Sequence, residues 1–295
     1  MFPTPATVKT EVYARIPDRL RKAGQLSAER LAAGKGTLHT DCFIEGPTFD
    51  AHGNLYLTDI AFGRIFRIPP GGEADVVAEY DGEPNGMKVL ATGRLLVADH
   101  RCGLLEIDPA TGDVTPVVQR FRTETFKGLN DLFNGSQGET WFTDQGQTGL
   151  QDPSGRVFRR EADGHLTCLL DTVPSPNGIV VNPARTQLYV AATRGNCVWR
   201  AMLLPDGSAT RAGVFVQMSG GTGPDGLLLD PSGRLYVAHA GMGAVWVFSK
   251  RGEPLLRIES CMDDMTTNIV LHPTDPHDLY ITESHSGCVL RARVD

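Results

Sequence analysis

Six segments of the chain repeat one pattern, a short apolar run closed by a small or polar residue: GNLYLTD (53–59), GRLLVAD (93–99), GETWFTD (138–144), TQLYVAA (186–192), GRLYVAH (233–239) and HDLYITE (277–283). Their starts lie 40, 45, 48, 47 and 44 residues apart. Each is followed by a turn and a second apolar run, as in GRIFRI or GAVWVF, and each is preceded by a strand that opens on a polar residue. A fourth strand closes five of the units, as in ADVVAEY and PLLRI. Four strands at this period are the signature of a β-propeller blade, a sheet that buries its two faces only between neighbours. The expected fold is therefore all-β: a six-bladed β-propeller of four-stranded antiparallel blades, one domain over residues 1–295 with blade repeats at 40–295.

The sixth unit ends before a fourth strand forms. TVKTEVYARI (7–16) is a spare strand, and pairing it with the last blade would close the ring and remove a sheet edge. Residues 17–34, PDRLRKAGQLSAERLAAG, read as a short helical segment against one face of the disc. Two longer connections, 119–128 and 145–155, exceed a tight turn and are placed around the pocket.

Charge narrows the ligand class. With 28 Lys and Arg against 35 Asp and Glu, the net charge is −7, which offers no electrostatic footprint for nucleic acid or an anionic membrane. A small molecule is the expected partner, and the oligomeric state stays open. The N-terminus lacks a basic region followed by an apolar core, and no segment approaches 18 apolar residues, so a cytoplasmic location is expected. Six widely spaced cysteines without a C-x-x-C pair read as buried small apolar residues.

In a propeller the first strand of each blade lines the central channel. The polar residues opening those strands, Glu45, Asn85, Asn130, Asn177, Asp225 and Thr267, then converge on the axis. Taken singly, Asn-Gly and Asp-Gly pairs are turn formers. Six oxygen-bearing side chains in register suit a hard divalent cation, calcium first, which would neutralise Glu45 and Asp225 together. Asp131, Gly178 and Gly226 beside them are read as backbone-geometry residues. The second strands end on Asp59, Asp99, Asp144, Thr193, His239 and Glu283 around the channel mouth, expected to hydrogen-bond between blades. Among these His239 is the candidate for proton transfer or substrate contact. His100 and His285 are placed on the rim, and Arg122 and Lys127 are solvated charges or contacts to an anionic substrate or product.

The motifs FIEGPTF with NLYLTDIAFGRIFRI, GLNDL, PSPNGIVV, GPDGLLLD and TTNIVL make the chain, from about residue 40 to its end, resemble the gluconolactonase and senescence-marker-protein (regucalcin-like) family of six-bladed propellers. The resemblance implies one catalytic divalent metal held by Glu45, Asn177 and Asp225, with Asn130 as a fourth ligand or substrate contact. Zinc, manganese, magnesium and iron are alternatives to calcium. It also implies hydrolysis of a small lactone, a sugar aldonolactone first, with Asp225 as ligand and general base. Asn130, Asn85, Lys127 and His239 form the expected substrate-binding set. Several sugar lactonases carry Arg two residues before the position of Asn130, where this chain has Gly128 after Lys127. A phosphotriesterase on the same metal and a non-catalytic calcium-binding propeller are the alternatives.

Overall fold

Each repeat is one antiparallel sheet, and the six sheets close into a ring in a computed structural model that describes residues 3–32 and 36–294. The innermost strands are Ile44–Phe49, Pro84–Val89, Leu129–Asn134, Pro176–Val181, Gly223–Leu229 and Thr266–Leu271. Each lies against the next, and the sixth returns to the first.

The apolar runs show why the ring holds. The second strands Leu55–Asp59, Leu95–Asp99 and Thr140–Asp144 are buried at every position. The core accordingly forms six wedges, one at each blade interface. Between blades two and three, for example, Leu96, Ala98 and Leu104 meet Leu129, Leu132, Phe142 and Phe158. Between blades six and one, Tyr280 and Val289 meet Ile44, Leu57 and Phe66. Each fully buried Leu, Ile or Phe contributes about 1.5–3 kcal/mol, so stability is distributed around the ring.

Closure differs in detail from the expected single strand at 7–16. Glu11–Arg15 pairs antiparallel with Cys288–Arg293 and completes blade six. Ala6–Lys9, however, runs parallel to Pro254–Glu259 as a fifth strand of blade five. Thr10 is the pivot: its Oγ1 donates to the Glu259 carbonyl at 3.1 Å and accepts from the Cys261 amide at 2.9 Å. The N-terminus thereby latches two blades.

The expected helical segment is reduced to a 3-10 turn at Asp18–Leu20 and a five-residue helix at Ala28–Ala32, with Gly24 at φ +69° between them. Ala33 and Gly34 lie outside the described residues. The arginines of this segment act as clamps. Arg21 binds Asp41 at 3.0 Å and donates to the Ser286 carbonyl at 2.6 Å, and Arg30 donates to the carbonyls of Ile60, Ala61 and Gly82. The segment thus rests on the connections that follow the second strands, the face on which the innermost strands begin.

Cys42, Cys197 and Cys288 are buried as expected, whereas Cys102 and Cys168 are partly accessible and Cys261 is exposed on a turn. No helix of the described residues is long and apolar enough to cross a membrane.

Candidate active site on the propeller axis

Every innermost strand is interrupted at the same place. The register slips between Glu45 and Thr48, Pro84 and Met87, Leu129 and Leu132, Pro176 and Ile179, Pro224 and Leu227, and Thr266 and Ile269. One extra residue in each strand makes a β-bulge, a device that re-aims side chains. The polar residues Glu45, Asn85, Asn130, Asn177, Asp225 and Thr267 all sit in these bulges. That is why an Asn-Gly pair stands inside a strand instead of at a hairpin tip.

The second bulge residues are Gly46, Gly86, Asp131, Gly178, Gly226 and Asn268. A Cβ on Gly178 would lie 2.3 Å from the Asp225 carbonyl, and one on Gly86 would lie 2.3 Å from Asp131 Oδ1. Adjacent bulges therefore nest at van der Waals contact. Asp131 and Asn268 occupy room left by Gly86 and Gly226, whose added Cβ would meet the Asn268 Oδ1 at 2.4 Å. Asp131 and Asn268 thus join the axial set, beyond a backbone role. The sequence signal for them was their departure from glycine at a glycine position.

A connected polar network results. Asn268 Nδ2 donates to Glu45 Oε2 at 2.8 Å, and the Gly46 amide donates to the same oxygen at 2.5 Å. Thr267 lies beside Glu45, and its Oγ1 is 2.8 Å from Ser284 Oγ, which donates to the Ile44 carbonyl. The Asn177 side chain lies near Asp225 and favours its ionised form. Asn130 Nδ2 donates to Gln145 Oε1 at 2.9 Å, and Gln145 Nε2 donates to Ser175 Oγ at 3.0 Å. Asn85 is buried within the ring, and its carbonyl accepts from Thr58 Oγ1.

Three acids share this small volume. Burial, followed by the charge of Asp131, pushes the Glu45 carboxyl up to about 7, against its hydrogen bonds from Gly46 and Asn268 and the Thr267 side chain beside it. Burial raises Asp225 well above the usual carboxylate range, and the charges of Glu45 and Asp131 raise it further. Burial also raises Asp131. The cations whose fields reach these acids are Lys88, on Asp131, and Arg194, on Asp225. Three carboxylates that resist ionisation together form a site of unmet negative charge, and an all-oxygen donor set of carboxylates and amides fits a hard divalent cation. Asp225 differs from Glu45 in keeping part of its surface accessible.

Among the second-strand ends, Thr193 and Asp99 make the expected contact between blades, Asp99 by accepting from the Tyr80 hydroxyl of blade one at 2.9 Å, whereas the other carboxylates turn to their own blade. Asp59 accepts from the Phe43 amide and from Arg64, and Asp144 accepts from the Gly128 amide and Arg156. Asp99 takes the Glu83 amide and Glu283 the Met265 amide. Each carboxylate pins the connection entering its own blade. Links between blades come from hydroxyls: Thr58 to the Asn85 carbonyl, Thr143 to that of Asn177 and Thr193 to that of Pro224.

His239 does not join the axial set. Its ring is 1 % exposed in a cleft between blades four and five, with Nε2 on the Gly220 carbonyl at 3.0 Å. Lys127 is exposed on the rim, where its Nζ hydrogen-bonds Ser154 Oγ. Arg122 lies at a peripheral cleft of blade three beside Phe121. His100 is closer to the site than a rim residue: a Cβ on Gly128 would lie 2.3–2.6 Å from three atoms of its imidazole. The ring thus covers the backbone two residues before Asn130. Arg194, unmarked by any motif, and Gln145, the first residue of the 145–155 connection expected at the pocket, are brought to the site by the ends of second strands.

Comparison with known proteins agrees with this architecture. Residues 43–285 match the family described as the SMP-30/Gluconolactonase/LRE-like region. A gluconolactonase of Zymomonas mobilis is 29% identical over 282 residues, covering 84% of this chain and 78% of its own. Lactonase drp35 of Staphylococcus aureus is 29% identical over 227 residues, covering 73% and 69%. Among solved structures, a gluconolactonase from Xanthomonas campestris superposes with a TM-score of 0.76 at 22% identity, over 100% of this chain and 99% of its own. The calcium-binding protein regucalcin from Agrobacterium tumefaciens gives 0.76 at 22% identity, over 98% and 95%. The chain belongs to the SMP-30/gluconolactonase/LRE-like family of β-propellers.

Proposed function

We propose that the protein is a lactone hydrolase whose axial carboxylates hold one divalent cation, and that its substrate is a small sugar aldonolactone. The observation that carries this reading is the placement of Glu45, Asp131 and Asp225 in the axial bulges, where burial raises all three acids, the charge of Asp131 raises Glu45, and the charges of Glu45 and Asp131 raise Asp225. The gluconolactonase and lactonase names of its relatives supply the reaction class.

Glu45, Asn177 and Asp225 would hold the cation, with Asn130 beside them, and calcium is the first choice for oxygen donors. Bound there, the ion supplies Lewis-acid polarisation of the lactone carbonyl and makes water more acidic. The chain's own residues do the rest. Asp225, ionised when the cation is held, takes the proton from the attacking water on a carboxylate oxygen, since part of its surface remains accessible. Asn177, beside Asp225, favours its ionised form. Asn85 and Asn130 offer amide hydrogen bonds to ring hydroxyls, with Asn130 oriented by Gln145. Lys127 offers a cation on the rim for the hydroxy-acid product.

A pH-indicator screen of purified protein with divalent cation added tests the reading, using aldonolactones on one side and phosphotriesters on the other. Turnover of an aldonolactone that chelator abolishes is expected. Turnover of phosphotriesters alone would transfer the assignment to the other chemistry, and binding of cation without turnover of either would leave a calcium-binding propeller.

A further inference from the structure

Between blades four and five lies a cleft of about 200 Å³ lined by Gln217, Met218, Ser219, His239, Trp246, Phe248 and Pro254. None of these residues belongs to an innermost strand, so the cleft is distinct from the axial site. His239 and Trp246 stand on adjacent antiparallel strands, where His239 pairs with Ala244 and Trp246 with Val237. They are diagonal neighbours on one face of the sheet, the face turned to blade four.

The chemistry of the two side chains is fixed by their contacts. His239 Nε2 sits 3.0 Å from the Gly220 carbonyl, which also accepts from Asn196 Nδ2 at 2.8 Å. A carbonyl only accepts, so Nε2 carries the hydrogen, and in the neutral ring Nδ1 is an acceptor. Burial favours that neutral ring, and the nearby Arg257 acts in the same direction against the Gly220 bond. Trp246 Nε1–H is a donor only. Among the described residues neither His239 Nδ1 nor Trp246 Nε1 has a hydrogen-bond partner, although both atoms are buried. The residues that line the cleft therefore include one unsatisfied acceptor and one unsatisfied donor, with the polar Gln217 and Ser219 beside the apolar Met218, Phe248 and Pro254.

We infer that this cleft is a second binding site, which takes a small neutral molecule carrying an alcoholic hydroxyl on an apolar body. A hydroxyl is the group that donates to Nδ1 and accepts from Nε1–H at once, while Met218, Phe248 and Pro254 cover the body. An anion would meet the lone pair of Nδ1. A cation would meet the Arg257 guanidinium, 5.3 Å from the Trp246 ring centroid. Water meets the two polar atoms equally well, but its share of liquid volume is about 30 Å³, which leaves most of the cleft, with its Met218, Phe248 and Pro254 side chains, uncovered.

Benzyl alcohol and toluene are the probes, titrated into the full-length chain and read on the indole N–H resonance of Trp246. Trp246→Phe identifies that resonance among the three tryptophans. Benzyl alcohol is expected to shift it saturably and to bind about ten-fold tighter than toluene, the worth of one buried hydrogen bond. His239→Leu is expected to erase that preference. The absence of a saturable shift, or equal affinity for the two probes in the parent chain, overturns the proposal and leaves a cleft that holds water only. The parent comparison decides even if the His239 variant does not fold, and because lactone turnover is not a readout, failure here leaves the axial assignment intact.

Discussion

Asn268 on the last blade donates through Nδ2 to Oε2 of Glu45 on the first, at 2.8 Å. The pair joins the two ends of the blade series at the axis and fixes which way the Glu45 carboxylate faces. Asn268→Leu leaves a buried carboxylate oxygen with one donor fewer, a loss of about 1–3 kcal/mol. Thermal melts are expected to show that cost in metal-free protein, and divalent-cation affinity is expected to fall about ten-fold. Unchanged affinity would remove Asn268 from the site.

The raised proton affinity of Glu45 makes the metal-free protein sensitive to pH. Its carboxyl titrates near 7 in the folded chain against an ordinary 4.5, so the folded state keeps a proton that the unfolded state releases in between. Stability contributed by this group is present below 4.5 and is lost as pH rises through 7, with a slope of up to about 1.4 kcal/mol per pH unit. Chemical denaturation across that window, in chelator, is expected to show the loss in the parent and a flatter profile in Glu45→Gln. Identical profiles would place the proton elsewhere.

His100 and Gly128 act as a packed pair beside Asn130. A methyl group at 128 would lie 2.3 Å from the imidazole Cε1, and Gly128 also has φ +145°. Gly128→Ala is expected to destabilise the protein, and His100→Ala in the same chain is expected to recover part of the loss, a coupling of about 0.5–3 kcal/mol. Strict additivity in the double-mutant cycle would show that backbone strain alone sets the cost.

The N-terminal latch makes a separate prediction. Removing residues 1–16 strips one strand from blade six and another from blade five and exposes their edges. A lower melting temperature and concentration-dependent association are expected by calorimetry and light scattering. A truncated chain that melts with the parent would mean the latch is dispensable.

Blade number and strand order were legible because the repeat is written in apolar runs, each of which is buried against a neighbouring blade. The six polar residues were legible because bulges place them in register. What the sequence did not disclose depends on contacts remote along the chain. Thr10 breaks one apparent strand into two by bonding Glu259 and Cys261. His239 stands at the same repeat position as Asp59, yet it turns toward Gly220 because blade four ends beside it. The placement of His100 over Gly128 spans two blades, and no periodicity encodes it.

Asp225→Asn tests the central assignment most directly, because it keeps an oxygen ligand of nearly the same shape and removes the proton acceptor. The measurement is aldonolactone turnover by parent and variant, each at a divalent-cation concentration shown by calorimetry to fill one site per chain. Turnover in the filled variant is expected to fall by about 10²–10⁴-fold. Parental turnover once cation fills the variant would contradict the assignment of Asp225 as the base, and a parent chain that binds no divalent cation would contradict the site itself.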